Sequence, residues 1–410
     1  MNISDTELLY WIVQNWPKVW TEKQSQLAHV PKVYPLDEDI QTALRNLHIL
    51  LGGANKSIFS RPKDVKDLWQ LLLEKSIICL RFYDSREPYT DPQFSNKTPQ
   101  AYGLDALRGY FDEFSEFESI LYGSSSYYRD HVIHVFRTWM IGVYILLKKS
   151  EDKKFNVDSI NIYDIKHPVE INFLEILSIW TVSALVHDLG YPLEKFQLIL
   201  DKTQKMMRHF IFDPQINQNF NFNGTQDSLN NFIVRLASSK MHPLSELEIK
   251  QLGNSDLKYK ARLQSKYYFK FSKSLEKHEH GILSAVIVYK SLLYFLESDF
   301  NLNEDYYYKD ADVKQFYIRR EILRAIASHT CDDIYHLYSN TISMLLIISD
   351  DLQEWGRMNW SEFYQGNEKF KTEVQLKLYT AEIVAFELSI SEMSKTDFAG
   401  YFNGSIRVNH

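Results

Sequence analysis

The sequence predicts a mainly α-helical fold with a small β element at its C-terminus. Apolar residues recur at the helical spacing over most of the chain. Two long apolar runs, Val132–Leu147 and Ile171–Val186, are typical of helices buried in a core. After Phe370 the pattern changes, because apolar and polar residues alternate with the period of two that is typical of strands.

Residues 1–100 are predicted to form an N-terminal helical extension. The apolar rhythm predicts helices over Asp39–Leu51 and Asp64–Phe82. The start of the chain, which contains Pro17, is predicted to be irregular. The stretch Asp84–Gln100 contains three prolines and few apolar residues, so we expect a linker there.

Residues 101–362 are predicted to form the main helical domain, and residues 363–410 a β-rich segment. Helices are expected in the main domain wherever apolar residues recur every three or four positions. They span Leu104–Leu121, the run from Val132, Ile171–Val186, Glu194–His209, Leu244–Phe271, Ile282–Leu296, Ile318–Ser328 and Thr341–Glu354. The stretch Asn217–Asn231 lacks this periodicity and is predicted to be a loop.

The composition argues against several classes of protein. The net charge of -7 gives no general attraction to nucleic acid, and the two cysteines form no Cys-x-x-Cys motif. The N-terminus lacks a signal-peptide pattern, and both long apolar runs are shorter than the roughly 20 residues that span a bilayer. The motifs of P-loop enzymes, Rossmann oxidoreductases and serine hydrolases are missing. We therefore expect a cytoplasmic protein that does not enter a membrane.

An adjacent His-Asp pair, His187-Asp188, follows the apolar run that starts at Ile171. The carbonyl end of a helix repels a carboxylate, and a buried carboxylate needs a cation as partner. No Lys or Arg lies between Ile171 and Asp188. The simplest compensation is a metal ion held by Asp188 and the neutral imidazole of His187.

Further histidines and aspartates stand at the ends of other predicted core helices. Sites for Zn, Mn or Fe are assembled from such imidazoles and carboxylates. Three positions have two candidates each: His131 or His134, which share a helix face, His278 or His280, and Asp350 or Asp351. The candidate metal ligands are His134, His187, Asp188, His280, His329 and Asp350.

The order of these residues resembles that of the HD-domain metal-dependent phosphohydrolases, an all-helical superfamily named for the His-Asp doublet. Its members carry a His, then His-Asp, often two further His, and finally a distant Asp. The resemblance covers roughly residues 105 to 360 and implies a helical bundle that holds one or two divalent metals (Mn, Fe, Zn, Mg or Ni). It favours His134, His280 and Asp350 among the alternatives above.

The resemblance also implies a reaction: hydrolysis of a phosphoester or phosphoanhydride in a nucleotide-type substrate by metal-bound hydroxide. Asp188 would bridge the metals, and His131, near the mouth of the site, would protonate the leaving group. The pattern departs from known subgroups, because Tyr191 stands where many triphosphohydrolases carry His. The signatures of cyclic-di-GMP and cyclic-nucleotide phosphodiesterases are missing too.

Phosphate contacts would come from basic side chains near the site. Two alternative functions remain open: a metal-dependent nuclease that contacts single-stranded DNA or RNA through the basic, aromatic stretch Lys258–Lys273, and a nucleotide-binding sensor without turnover. An oligomer is compatible with each of them. The candidate phosphate-binding residues are Arg129, Arg137, Lys195 and Arg357, followed by Arg319, Arg320 and Arg324.

Overall fold

A computed structural model describes most of the chain, and it is mainly helical as predicted. The described residues are 4–52, 57–85, 100–124, 130–150, 152–162, 170–212, 224–297, 301–302, 306–336, 338–354, 372–379 and 384–390. The candidate ligands all lie within these ranges, whereas Arg129 and Arg357 lie outside them.

The N-terminal region contains three long helices: α1 (Asp5–Lys23), α2 (Glu38–Leu51) and α3 (Pro62–Phe82). The helices α2 and α3 were predicted, but the prediction of an irregular start was wrong. Helix α1 runs through Pro17 because an apolar face that includes Ile12, Trp16 and Val19 is buried against the rest of the protein. Burial of that face outweighs the backbone hydrogen bond that proline removes.

The main helical region places α6 at its centre. Every residue of α6 is buried, and the helix contacts α3, α5, α13 and α14, which explains why it is apolar on all sides. The helices of this region are α4 (Leu104–Ser124), α5 (His134–Leu147), α6 (Phe173–Val186), α7 (Tyr191–Met207), α8 (Thr225–Ser238), α9 (Glu246–Leu252), α10 (Ser265–Glu276), α11 (His280–Ser291), α12 (Leu293–Leu296), α13 (Asp310–Ser328) and α14 (Ile342–Glu354).

The two helices that precede the His-Asp pair are locked together by tryptophans. The side chain of Trp180 donates to the carbonyl of Trp139 (3.1 Å), and that of Trp139 donates to Thr181 Oγ1 (3.0 Å). Gly142 leaves room for this packing, since a Cβ there would lie 1.9 Å from the Trp180 ring. The contact between α5 and α6 therefore depends on a glycine within an otherwise bulky helix.

A small antiparallel sheet interrupts the helices. One of its strands lies within Leu244–Phe271, so the prediction of a single helix over that stretch was wrong. The order of the sheet is β1-β2-β3, with Ser239 of β1 opposite Leu263 of β2. The apolar alternation covers only five residues in each long strand, so the basic residues around it favoured a helix in the sequence. Part of the loop predicted over Asn217–Asn231 is also helical, within α8. The strands are β1 (Ser239–Pro243), β2 (Tyr259–Leu263) and β3 (Tyr307–Tyr308).

The C-terminal β element was predicted correctly. Strands β4 (Thr372–Tyr379) and β5 (Val384–Ile390) pair antiparallel, with a register shift between Leu376 and Leu378. One helical stretch, Phe173–Met207, is long and apolar enough to cross a membrane by length and composition. Its most apolar window is entirely buried within the protein, as in a core helix.

Candidate metal centre

Four imidazoles and two carboxylates converge beside the C-terminal end of α6. Asp188 stands at the middle of this cluster: Oδ2 lies 3.1 Å from His134 Nε2, and Oδ1 lies 3.2 Å from His280 Nε2 and 3.4 Å from His329 Nε2. Asp350 Oδ1 lies 3.5 Å from His134 Nε2 and 3.6 Å from Nε2 of the fourth histidine, His187. The six residues predicted as ligands are thus brought together, and we call them the metal cluster.

The residues of the metal cluster come from the ends of several helices. His134 is the first residue of α5, and His280 is the first of α11. The His-Asp pair directly follows α6, and His329 directly follows α13. Asp350 lies within α14. Distant parts of the sequence therefore meet at this place.

The alternative histidine and aspartate positions are resolved by where the side chains lie. His278 occupies the turn before α11 with a left-handed backbone (φ 56°), whereas His280 faces Asp188. Asp350, the first aspartate of its pair, contacts the histidines of the metal cluster. The geometry therefore matches the preferred alternatives.

The imidazoles present Nε2 to the centre because Nδ1 is held elsewhere. Nδ1 of His187 donates to the carbonyl of Ala184 (2.8 Å), and Nδ1 of His329 donates to that of Ile326 (2.6 Å). These bonds fix the tautomer that leaves a lone pair on Nε2, which is the usual arrangement for a histidine that binds metal.

The Nε2 atoms of His187 and His329 are buried, and within the described part of the chain they have no hydrogen-bond partner. Leaving a buried polar atom unsatisfied costs about 1–3 kcal/mol. A divalent metal ion would satisfy both atoms and neutralise the two carboxylates. The donor set of imidazoles and carboxylates fits Zn, Mn, Fe or Ni and can hold a metal ion.

Two glycines allow the helix ends to come so close, a role that no local sequence pattern indicates. A Cβ on Gly190 would lie 2.3 Å from the carbonyl oxygen of His280. A Cβ on Gly281 would lie 2.6 Å from Thr330 Oγ1 and 3.1 Å from the His329 ring. Gly190 and Gly281 are therefore packing positions.

Neighbouring helices also fix the turn that follows the His-Asp pair. Trp69 of α3 donates to the carbonyl of Leu185 (2.7 Å), and Tyr110 of α4 donates to that of Leu189 (2.6 Å). The amide of Gly190 donates to Ser284 Oγ at 2.7 Å. These bonds satisfy polar groups that a helix end leaves open, and they hold the His-Asp pair in place.

The electrostatics of the metal cluster keep both carboxylates ionised. Burial alone would raise the pKa of Asp188, but the surrounding imidazoles hold its pKa well below the usual range. The same balance keeps the pKa of Asp350 low. Burial opposes charge on His280, yet Asp188 and Glu194 raise its pKa to about 9. Burial lowers the pKa of His329, so that this imidazole is neutral at pH 7.

His131 lies beside the metal cluster, as predicted for the candidate proton donor. Its ring stacks on Tyr191 with 3.5 Å between centroids, and it stands edge-on to His134 at 5.5 Å. Its backbone amide donates to Glu118 (2.6 Å). Tyr191 in turn lies 5.2 Å from the His280 ring, so it bridges the two histidines.

The residues predicted to bind phosphate lie in different surroundings. Lys195 pairs with Glu194 and lies over the Tyr191 ring, at the edge of the metal cluster. Arg137 does not face the cluster: its guanidinium forms a two-pronged ion pair with Asp5 of α1 at 2.7 and 2.8 Å. The structure therefore places Arg137 in an ion pair that ties α1 to α5, and phosphate binding by this residue stays a prediction.

Three further arginines on α13 serve the fold. Arg319 and Arg320 are almost fully buried and bind carbonyl groups, such as those of Tyr294 and Ile162. Arg324 binds the carbonyl of Ala237 at 2.7 Å, just before β1. These arginines satisfy backbone acceptors of α12, of α8 and of a loop, so their charge is engaged within the fold.

Lysines of the stretch proposed to contact nucleic acid are paired with acidic groups. Lys258 pairs with Asp310, and Lys260 pairs with Glu248. Lys273 pairs with Asp333, and Lys270 donates to the backbone carbonyl of the same residue. This pairing removes much of the positive charge on which the nuclease alternative depends.

No protein-family model matches the chain, and neither does any curated protein or solved structure. The resemblance to the HD-domain superfamily rests on the sequence pattern and stays a prediction.

Proposed function

We propose that this protein is a metal-dependent phosphohydrolase of the HD type, acting on a phosphoester or phosphoanhydride of a nucleotide-like substrate. The observation that carries the proposal is the metal cluster: buried imidazole Nε2 atoms and two ionised carboxylates converge on one place. Structural ion pairs can also converge, but they do not leave imidazole nitrogens facing one another without partners.

Two overlapping groups of ligand atoms support a site for one or two metal ions. Their ligand atoms lie within 4.8 Å of one another in each group. Asp188, a member of the second group, also lies 3.1 Å from His134 of the first group, and His280 adds a further imidazole. When bound, such an ion lowers the pKa of water and neutralises phosphate oxygens. The groups are His134, His187 and Asp350, and His187, Asp188 and His329.

The other residues near the metal cluster have roles that suit a phosphate substrate. Lys195 presents a cation at the edge, where it can attract phosphate oxygens. His131, stacked on Tyr191, can hold the proton that a leaving oxygen needs. Asp188 stays ionised, which keeps the imidazoles around it oriented towards the centre.

The test is metal analysis of the purified protein, followed by a panel of nucleotides assayed for phosphate release with manganese. We expect bound metal and turnover in the wild type, and loss of both in His187→Ala and Asp188→Ala. His242→Ala, a histidine on β1, is the matched control and should keep both properties. A wild type without metal, or variants with unchanged metal content, would contradict the proposal.

The same panel separates the alternatives. Degradation of labelled single-stranded DNA or RNA without turnover of free nucleotides would favour a nuclease. Tight nucleotide binding without turnover under any metal would favour a sensor. Either result would replace the proposed substrate class.

A further inference from the structure

We infer that Glu194 is a positioning residue of the metal cluster: it sets the tautomer and direction of His280 and joins this imidazole to Lys195. The inference rests on the proposed function, because it assumes that His280 binds metal.

The contact between Glu194 and His280 is double. Oε2 of Glu194 accepts from the backbone amide of His280 at 2.8 Å and from its Nδ1 at 2.5 Å. The carboxylate belongs to α7 and the imidazole to α11, so the contact joins two helices. One oxygen atom therefore holds both the backbone and the ring of His280.

His280 needs this partner because of its place in its helix. His187 and His329 follow the ends of their helices, where the carbonyl three residues earlier accepts from Nδ1. His280 is the first residue of α11, so no preceding helical turn offers a carbonyl. Its backbone amide is also one of the donors that a helix start leaves open. A carboxylate from another helix satisfies both groups.

The replacement of a carbonyl by a carboxylate has a chemical consequence. An anion that accepts from Nδ1 makes the other ring nitrogen a stronger ligand, and a carboxylate is also favourable at the start of a helix. His280 thus has a charged partner of this kind in the structure. Removal of the partner should weaken metal binding on the His280 side about 10- to 100-fold.

Lys195 completes the arrangement. Its ammonium group pairs with Oε1, the second oxygen of Glu194, and lies 4.9 Å from the centre of the Tyr191 ring. Glu194 consequently contacts the imidazole of His280 through Oε2 and the ammonium group of Lys195, at the edge of the metal cluster, through Oε1. A substrate phosphate that binds Lys195 would lie near the imidazole that Glu194 orients.

The experiment measures Mn²⁺ binding by calorimetry and by electron paramagnetic resonance. The variants are Glu194→Ala, Glu194→Gln and His280→Ala, and the control is Glu248→Gln. Glu248 is a matched control because it also accepts from a backbone amide, that of Ser245, and pairs with a lysine, Lys260. Thermal melting verifies that each variant is folded.

We expect Glu194→Ala to lose the same part of the Mn²⁺ isotherm as His280→Ala, with an affinity at least 10-fold lower. Glu194→Gln keeps an acceptor oxygen without the charge, so its affinity should fall between those of Glu194→Ala and the wild type. A purely structural role would alter the melting temperature without this ordered series. Absorption of the Co²⁺-loaded proteins should show the same series in the d–d bands.

The inference is overturned if Glu194→Ala binds Mn²⁺ as the wild type does, or if His280→Ala does. In both cases, the proposed function would still stand if the wild type binds metal and His187→Ala does not. A wild type that binds neither Mn²⁺ nor Co²⁺ would instead remove the proposed function itself, and the role of Glu194 with it.

Discussion

Oδ2 of Asp188 lies 3.1 Å from Nε2 of His134, and its other oxygen lies 3.2 Å from Nε2 of His280. One carboxylate therefore faces imidazoles from two helices, α5 and α11. Asp188 thereby links an imidazole at the start of α5 to one at the start of α11.

Asp188→Asn should abolish metal binding while the protein stays folded. The neutral amide cannot balance metal charge, and its NH₂ group would face imidazole nitrogens. We expect the loss of metal affinity to exceed the roughly 10- to 100-fold effect of an outer-shell substitution. Plasma emission analysis of metal content and circular dichroism check this prediction. Full metal content in the variant would contradict it.

Removal of metal should lower thermal stability. A ligand that binds only the folded state stabilises it by about 2.7 kcal/mol when its free concentration is 100 times Kd. We expect EDTA to lower the melting temperature and added Mn²⁺ to restore it. His187→Ala should show no response to either reagent, and a response equal to that of the wild type would show that stabilisation arises elsewhere.

Metal affinity should rise with pH. Asp188 and Glu194 overcome burial and raise the pKa of His280 to about 9, so metal must displace a proton from this imidazole at neutral pH. Binding should tighten up to about pH 9 and release protons, which calorimetry in buffers of different ionisation enthalpy detects. Without metal, the protonated imidazole stabilises the fold fully below pH 6.5, and this stability is lost as the pH rises through about 9. An affinity that stays flat over roughly the three pH units below this pKa would refute the assignment.

Gly281→Ala should damage both stability and the metal cluster. The added methyl group would meet Thr330 Oγ1 at 2.6 Å and the carbonyl oxygen of Ile326 at 2.7 Å, so α11 and α13 must separate. We expect a loss of about 1–3 kcal/mol in unfolding free energy, and weaker metal binding through displacement of His329. Gly109→Ala on α4 is the control, since its methyl group meets nothing within 4 Å. Denaturant titration of both variants decides the matter.

Asp5→Asn should lower stability without changing KM. Asp5 and Arg137 form a buried ion pair, and the loss of one partner leaves an uncompensated charge that costs about 3–5 kcal/mol. If Arg137 contacted substrate instead, its replacement by Met would raise KM and leave the melting temperature unchanged. Denaturant titration and steady-state kinetics on an accepted nucleotide distinguish these outcomes.

The sequence predicted the parts of the site that follow from local pattern. The apolar runs that end in His187-Asp188 or in Asp350 could be recognised in the sequence, because the buried residues of a helix and the polar residues at its end are close together in the chain. The small sheet was not predicted, because an alternation of apolar and polar residues over five positions is too short to outweigh the basic composition around it. Helix α1 was missed because Pro17 is a strong local signal, whereas the burial that overcomes it depends on distant residues.

Contacts between residues far apart in the sequence could not be predicted from local sequence patterns. Glu194 is an ordinary helical glutamate until α11 places His280 against it. Gly281 is an ordinary small residue until α13 crosses beside it. Arg137 lies at the spacing expected of a site residue. Its guanidinium nevertheless forms an ion pair with Asp5, which is far away in the sequence. The residues that converge in the metal cluster were thus predictable from the sequence, but the residues that orient them were not.

The fit of the Trp180 indole against Gly142 means that α5 and α6 cannot slide along each other without breaking that contact. The spacing between His134 and His187 is consequently set by the hydrophobic interior, and not by the long connection between the two helices. If a substrate binds there, adjustment to its size would have to come from helices other than α5 and α6.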